Sequence, residues 1–267
     1  MSFDFSAVSS PFRMQPGLRR LPPGAAQLTS LVPGSALHEE KRKVLASGNS
    51  RLCATGFDPV PALAAITDKA REERVATAID NGTPLELAFA EDFAVLHGDD
   101  STLPWLCVCV PSHWAPEDKL GLTFAAVHAP VADNGALQAA GAQLVRLVTG
   151  GACWERFVWT VSPSPCFDQH PRRHARQAWP VTNDAAEFAA NSFLRAERQT
   201  FFPVGRGTRQ AVFTIRVMLQ PLTQAASRAM RARRLRDAIA SMSDSVLAYK
   251  GMAPAREPLL RWLDTLA

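Results

Sequence analysis

The chain has 267 residues, of which 47% are hydrophobic and 20% charged, an ordinary globular balance that supports a sizeable core. A formal charge of +4 is too small to name a partner, and decides nothing between nucleic acid, an acidic protein and neither. Five cysteines form no C-x-x-C pair, the N-terminal MSFDFSAVSSPF lacks a basic or apolar leader pattern, and no run reaches the ~18 apolar residues of a membrane span, so the expectation is a reduced cytoplasmic protein with no membrane segment.

In chain order, the Pro- and Gly-rich stretch up to residue 34 predicts an extended arm over the body. Ser35 then caps a helix, ALHEEKRKVLAS, that stops at Gly48, and PALAAITDKAREERVATAIDNG predicts a stronger one ending at Asn81-Gly82. From about residue 85 the period changes to that of strands. EDFAVLH, LPWLCVCV, CWERFVWTV, FLRAERQTFF and QAVFTIRVML are each rich in β-branched or aromatic residues and bounded by turn formers. A helical segment, NGALQAAGAQLVRLVTGG, separates the second from the third. A long C-terminal helix follows, with an apolar stripe at Leu235, Ile239, Met242, Val246 and Tyr249 and a stop at Gly251, and EPLLRWLDTLA adds a last amphipathic turn or two. The pattern predicts an α+β fold, one antiparallel sheet flanked by helices, organised as an N-terminal arm and helices (1–84), a core (85–222) and a C-terminal helical segment (223–267) packed as one compact unit.

Three strands offer polar rows. Alternation puts Arg156 with Val158 and Thr160, Glu197 with Arg195 and Gln199, and Arg216 with Thr214, while Arg198 faces the opposite way from Glu197. If the strands are neighbours, Arg156, Glu197 and Arg216 converge on one face. A solvated face with cross-strand ion pairs worth ~0.2–1 kcal/mol each has the same pattern.

Among six histidines, His128 ends an apolar segment just before a proline turn, where a ring is held rigidly, and His113 sits in a turn beside Trp114. His170 and His174 have a helical i, i+4 spacing, but arginines surround them and no third ligand is near. Cys107 and Cys109 read as a buried structural pair. Continuing the Leu235 stripe backwards reaches Arg228 and Arg231, which should leave the core, either as a solvated, frayed first turn or to meet anions. The same helix lacks base-stacking aromatics, which argues against nucleic acid. No G-x-G-x-x-G or P-loop is present, so electrons for any redox chemistry come from elsewhere.

LPWLCVCVPSHWAPEDKLGLTFAAVHAPV, WERFVW and FLRAERQTFFPVGRGTRQAVFTIRVMLQPL, in that order, resemble the signature blocks of the heme-dependent oxidative N-demethylases. The resemblance implies a PAS-like sheet that holds heme b and activates O2 on its iron to oxidise a methyl group of a small secondary amine, releasing formaldehyde. It implies His128 as the iron ligand, Arg156, Glu197 and Arg216 as polar residues around oxygen, and Arg195 and Arg198 as cofactor-side substitutes. It further implies a separate reductase chain carrying NADPH, flavin and iron–sulfur chemistry, and makes heme propionates or an acidic reductase surface the anions that Arg228 and Arg231 would meet. Two departures are ADNG after HAPV, where the family has a further proline and a glycine turn, and Val158 where it tends to have Asn. Two alternatives remain, a PAS-like heme or small-ligand sensor without turnover, and a heme-free interaction domain; a Soret band and NADPH-coupled formaldehyde release separate the three.

Overall fold

The computed structural model describes residues 3–75, 79, 81–205 and 207–266. The five expected strands form, as β3 (Glu91–His97), β4 (Trp105–Cys107), β5 (Trp154–Ser162), β6 (Phe193–Pro203) and β7 (Gln210–Pro221). Two short ones join them, β1 (Arg19–Arg20) and β2 (Arg51–Cys53), giving a seven-stranded antiparallel sheet in the order β1-β5-β6-β7-β3-β4-β2. With helices set outside an antiparallel sheet, the class is α+β.

Register decides what the sheet can do, because side chains opposite one another share a face. Arg156 pairs with Gln199, Val158 with Glu197 and Thr160 with Arg195, while Gln199 continues to Ile215 and Phe201 to Phe213. These residues form one face. On the other, Arg198 lies between Phe157 and Arg216, and Arg216 lies opposite Glu91. The expected convergence of Arg156, Glu197 and Arg216 is therefore corrected: β7 is paired with β6 so that Ile215, not Arg216, carries the polar row's face onwards.

Helices cover both faces. Ala36–Ala46 forms as expected, with the Ser35 side chain accepting from the His38 backbone N–H. The next helix, Val60–Glu72, ends at a turn in which Arg74 has φ 60°; residues 76–78 and 80 of the expected longer helix lie outside the described residues. Its Ala62, Ile66 and Ala70 pack on Phe93, Val95 and Trp105 of the face opposite the polar row. The polar-row face is roofed by two short helices, Gly135–Ala139 and Gly141–Val148, where one was expected, and Val145 and Val148 contact Leu96 and Phe201.

The C-terminal segment is helical but divided into Leu222–Ala225, Ala229–Ala240, Asp244–Lys250 and Arg256–Asp264. Serines interrupt it: Ser241 Oγ bonds back to the Asp237 carbonyl, and Ser243 accepts from the Val246 N–H as a fresh N-cap. The stripe survives the break as far as Val246, since Leu235, Ile239, Met242 and Val246 stay buried, while its last expected member, Tyr249, is exposed. No helix among the described residues is long and apolar enough to cross a membrane.

One buried cation ties these layers together. Lys41, from the first helix, donates to the carbonyls of Phe89 (3.1 Å) and Glu91 (2.7 Å) and meets Asp92 Oδ1 at 3.0 Å. Asp92 in turn accepts from the backbone N–H groups of Cys109 (3.0 Å) and Val110 (2.8 Å). The chain leaving β4 is thereby pinned two residues before Ser112.

Candidate active site

A cavity of about 520 Å³ lies over the polar-row face, within the ~300–1,000 Å³ range of pockets that enclose a cofactor or drug-sized ligand. Its floor is Ala94, Leu96, Leu106, Phe213 and Ile215 of the sheet, and its roof includes Phe124, Leu144 and Val148. Polar groups enter from β5, β6, the segment after β4 and the end of the helix Asp244–Lys250.

His128 stands in the wall, at the end of the five-residue helix Phe124–His128 that Thr123 caps. Its Nδ1 lies 2.7 Å from the Phe124 carbonyl, which can only accept, so Nδ1 carries the proton. The ring packs on Phe124 at a tilt of 35°, with centroids 4.2 Å apart. Nε2 is left as an unprotonated lone pair with no hydrogen-bond partner among the described residues. Burial, opposed by the Phe124 bond and aided by Arg156 and Lys119, holds the imidazole below its ordinary pKa. The unexpected ADNG turn braces this element: Asn134 donates to the His128 (3.0 Å) and Ala129 (3.1 Å) carbonyls, and Asp133 accepts from Ser243 and Ser245 at 2.7 Å each.

Glu197 is held on both oxygens, by Ser112 Oγ on one and by Gln199 Nε2 at 2.7 Å on the other. Ser112 accepts from Arg195 Nε at 2.8 Å. Arg195, only 1% exposed, also donates to the carbonyls of Cys166 (3.2 Å) and Val110 (3.1 Å). Its guanidinium is committed to protein oxygens and acts on Glu197 through Ser112. Neither Ser112 nor this chain of bonds was expected from the sequence.

Arg156 differs. Its Nε is buried and bonds to nothing among the described residues, and no carboxylate pairs with it. Loss of hydration lowers its pKa, with Glu197 and Tyr249 opposing. A guanidinium left unpaired in a mostly apolar cavity is costly unless a ligand supplies the acceptor.

A model of the family described as "Haem-dependent oxidative N-demethylase, alpha subunit-like" matches residues 64–260. The chain belongs to this family. Membership links it to heme dependence and to oxidative N-demethylation, and the words "alpha subunit" to an assembly of more than one kind of chain. In this demethylase-family chain the cavity brings together His128, Arg156, Arg195 and Glu197 among the six residues singled out from sequence. Val158 lines the same cavity opposite Glu197.

Arg198 and Arg216 are outside the cavity. Arg198 Nε bonds Glu155 at 2.8 Å with both side chains under a tenth exposed, and Arg216 donates to Thr29 Oγ1 at 2.8 Å. Replacing Arg198 with Met should therefore lower the unfolding free energy by about 2 kcal/mol, moderated by Arg19, which still bonds Glu155, and should leave ligand binding in the cavity unchanged. Urea denaturation with and without ligand checks this.

Other candidates have structural explanations. His170 and His174 lie in a loop, bonded to Glu117 (2.9 Å) and Asp168 (3.1 Å), and no cluster of three or more metal-ligating side chains occurs among the described residues. Cys107 and Cys109 are buried and free, and burial pushes both thiols up, away from reactivity. Arg231 stacks on Phe5 at 4.7 Å and Arg228 is exposed; neither lines the cavity, which removes the expected propionate contact. His113 lines the cavity from a left-handed backbone, φ 59°. The residue is exposed overall, yet lost hydration, then Arg176 and Arg195, hold its imidazole down to about 4, so it is neutral at pH 7.

Proposed function

We propose that this cavity binds heme b through His128 and supports oxygen-dependent N-demethylation of a small amine, with formaldehyde as a product. The observation that carries the proposal is the His128 imidazole, which lines the cavity with its Nδ1 proton fixed on a backbone carbonyl and its Nε2 without a partner among the described residues. With that arrangement His128 would hold the iron, because a hydrogen bond on the far nitrogen sets both ring orientation and basicity. Cavity size, the apolar floor and the unpaired Arg156 fit the same group.

When bound, heme supplies the redox-active iron at which dioxygen is activated. The chain's own side chains divide the remaining work. Arg156 offers N–H donors where negative charge builds on oxygen, in surroundings where such donors act strongly because water is excluded. Glu197 holds or passes a proton, and the Arg195–Ser112–Glu197 chain with Gln199 fixes the direction in which its carboxylate points. Leu96, Leu106, Phe213 and Ile215 keep the floor dry. Electrons would arrive from a separate reductase chain carrying NADPH, flavin and iron–sulfur chemistry, with exposed arginines such as Arg228 available to an acidic surface.

The test is reconstitution with hemin, followed by formaldehyde measurement under air with a chemical reductant and dimethylamine or another N-methyl amine. A Soret band with one heme per chain and reductant-dependent formaldehyde are expected. Stable heme without formaldehyde would favour a sensor, and the absence of any heme uptake would defeat the proposal.

A further inference from the structure

The cavity is unbalanced in charge. Among its described lining residues, Lys119, Arg156, Arg176, Arg195 and Lys250 face one carboxylate, Glu197, and none of the five is ion-paired. Heme b brings two propionates, which leaves three of those five cations against Glu197. Each Glu197 oxygen already accepts a hydrogen bond. A simple alkylammonium ion would enter this field as a like charge.

The cations are not spread evenly. Trp179 Nε1 donates to the Gly251 carbonyl at 2.8 Å, which lays the Arg176 guanidinium against the Cα of Gly251, directly after Tyr249 and Lys250. Lys250 spends one of its three donors on the Trp159 carbonyl, 2.8 Å away on the edge of β5, and its ammonium sits 5.3 Å from the Phe12 ring centre. Tyr249, 46% exposed, and Arg176, also exposed, have no hydrogen-bond partner for hydroxyl or guanidinium among the described residues, so both are open to a ligand entering from solvent. Lost hydration holds Lys250 down to about 8 against the pull of Glu197, with Arg156 adding to the lowering, as befits a cation lacking its anion.

We propose that Arg176, Tyr249 and Lys250 bind a carboxylate on the amine substrate, so that the site accepts N-methyl amino acids in preference to simple alkylamines. The proposal rests on the N-demethylase reading of the cavity. It requires no further chemistry, since the carboxylate only anchors the molecule.

The experiment is equilibrium binding to the heme-loaded protein by calorimetry at pH 7, with N-methylglycine and dimethylamine as probes. N-methylglycine should bind at least about tenfold more tightly, and Arg176→Met and Lys250→Met should each weaken it about tenfold while leaving dimethylamine affinity and heme content unchanged. Equal affinity for the two probes in the wild-type protein would overturn the proposal. So would variants that weaken the uptake of heme but not of heme dimethyl ester, since the three residues would then serve the propionates. If the wild-type protein takes up no heme, the oxygenase reading fails on its own, and the same probe comparison on the heme-free chain still decides whether the carboxylate site exists.

Discussion

Replacing His128 with alanine is expected to lower heme affinity by on the order of a hundredfold or more, because losing even an outer partner of a metal ligand typically costs ~10–100-fold. The fold should survive. His128 ends a five-residue helix at the cavity wall, and its side chain makes one hydrogen bond, to Phe124, so far-UV circular dichroism and the urea midpoint should change little. His113→Ala is the matched control and should keep its heme, since that ring lies on a different segment, beside Arg176 and Arg195. Spectral titration with hemin decides the matter. An unchanged ferric spectrum and stoichiometry in the His128 variant would remove it from the iron, and loss of heme in the His113 variant would transfer the role. The depressed pKa of His128 sets a sign as well: its lone pair should resist protonation to lower pH than a free imidazole's, so acid release of heme should fall below about pH 6.5.

Glu197→Gln carries the second large effect. The substitution keeps size and shape and preserves a partner for Ser112, but removes the charge and the proton affinity. Heme content should stay at one per chain while turnover falls roughly a hundredfold, the usual scale for losing a positioned acid–base group. Arg156→Lys should behave alike, because a point charge on a flexible stem cannot reproduce a planar fork of donors. The paired measurement is heme by absorbance and reductant-driven formaldehyde release. Full turnover in both variants would reduce Glu197 and Arg156 to cavity lining.

Much of the sheet was legible because alternation survives in single strands. Arg195, Glu197 and Gln199 on one side and Arg198 on the other follow from spacing alone. Which face of β7 joins that side does not, because period 2 determines the parity within a strand and leaves the parity between strands to the register. That missing parity placed Arg216 in the wrong company. The C-terminal break was hidden for the opposite reason: the apolar stripe runs through it, so the cap at Ser243 was overshadowed by a pattern that tertiary packing preserves across two helices. Ser112, Arg176 and Lys250 carry no periodic signal at all. They reach the cavity from connecting segments and a helix end, whose paths depend on distant contacts such as Asp92 to Cys109 and Trp179 to Gly251.

Gly251 shows how small a residue can hold such a contact. At φ 67° it occupies the left-handed region, and a Cβ there would overlap the Arg176 guanidinium. Gly251→Ala should cost about 1–2 kcal/mol in urea denaturation from backbone strain, and should also displace Arg176 from the cavity rim.

The family match begins at residue 64, yet the ammonium that neutralises Asp92 belongs to Lys41. A chain trimmed to the matched segment would keep His128, Arg156 and Glu197 but leave Asp92 as an uncompensated charge in the core, at the point where the strand hands over to Ser112. The boundary drawn by sequence likeness and the boundary of the working unit therefore differ, and the first helix belongs inside the second.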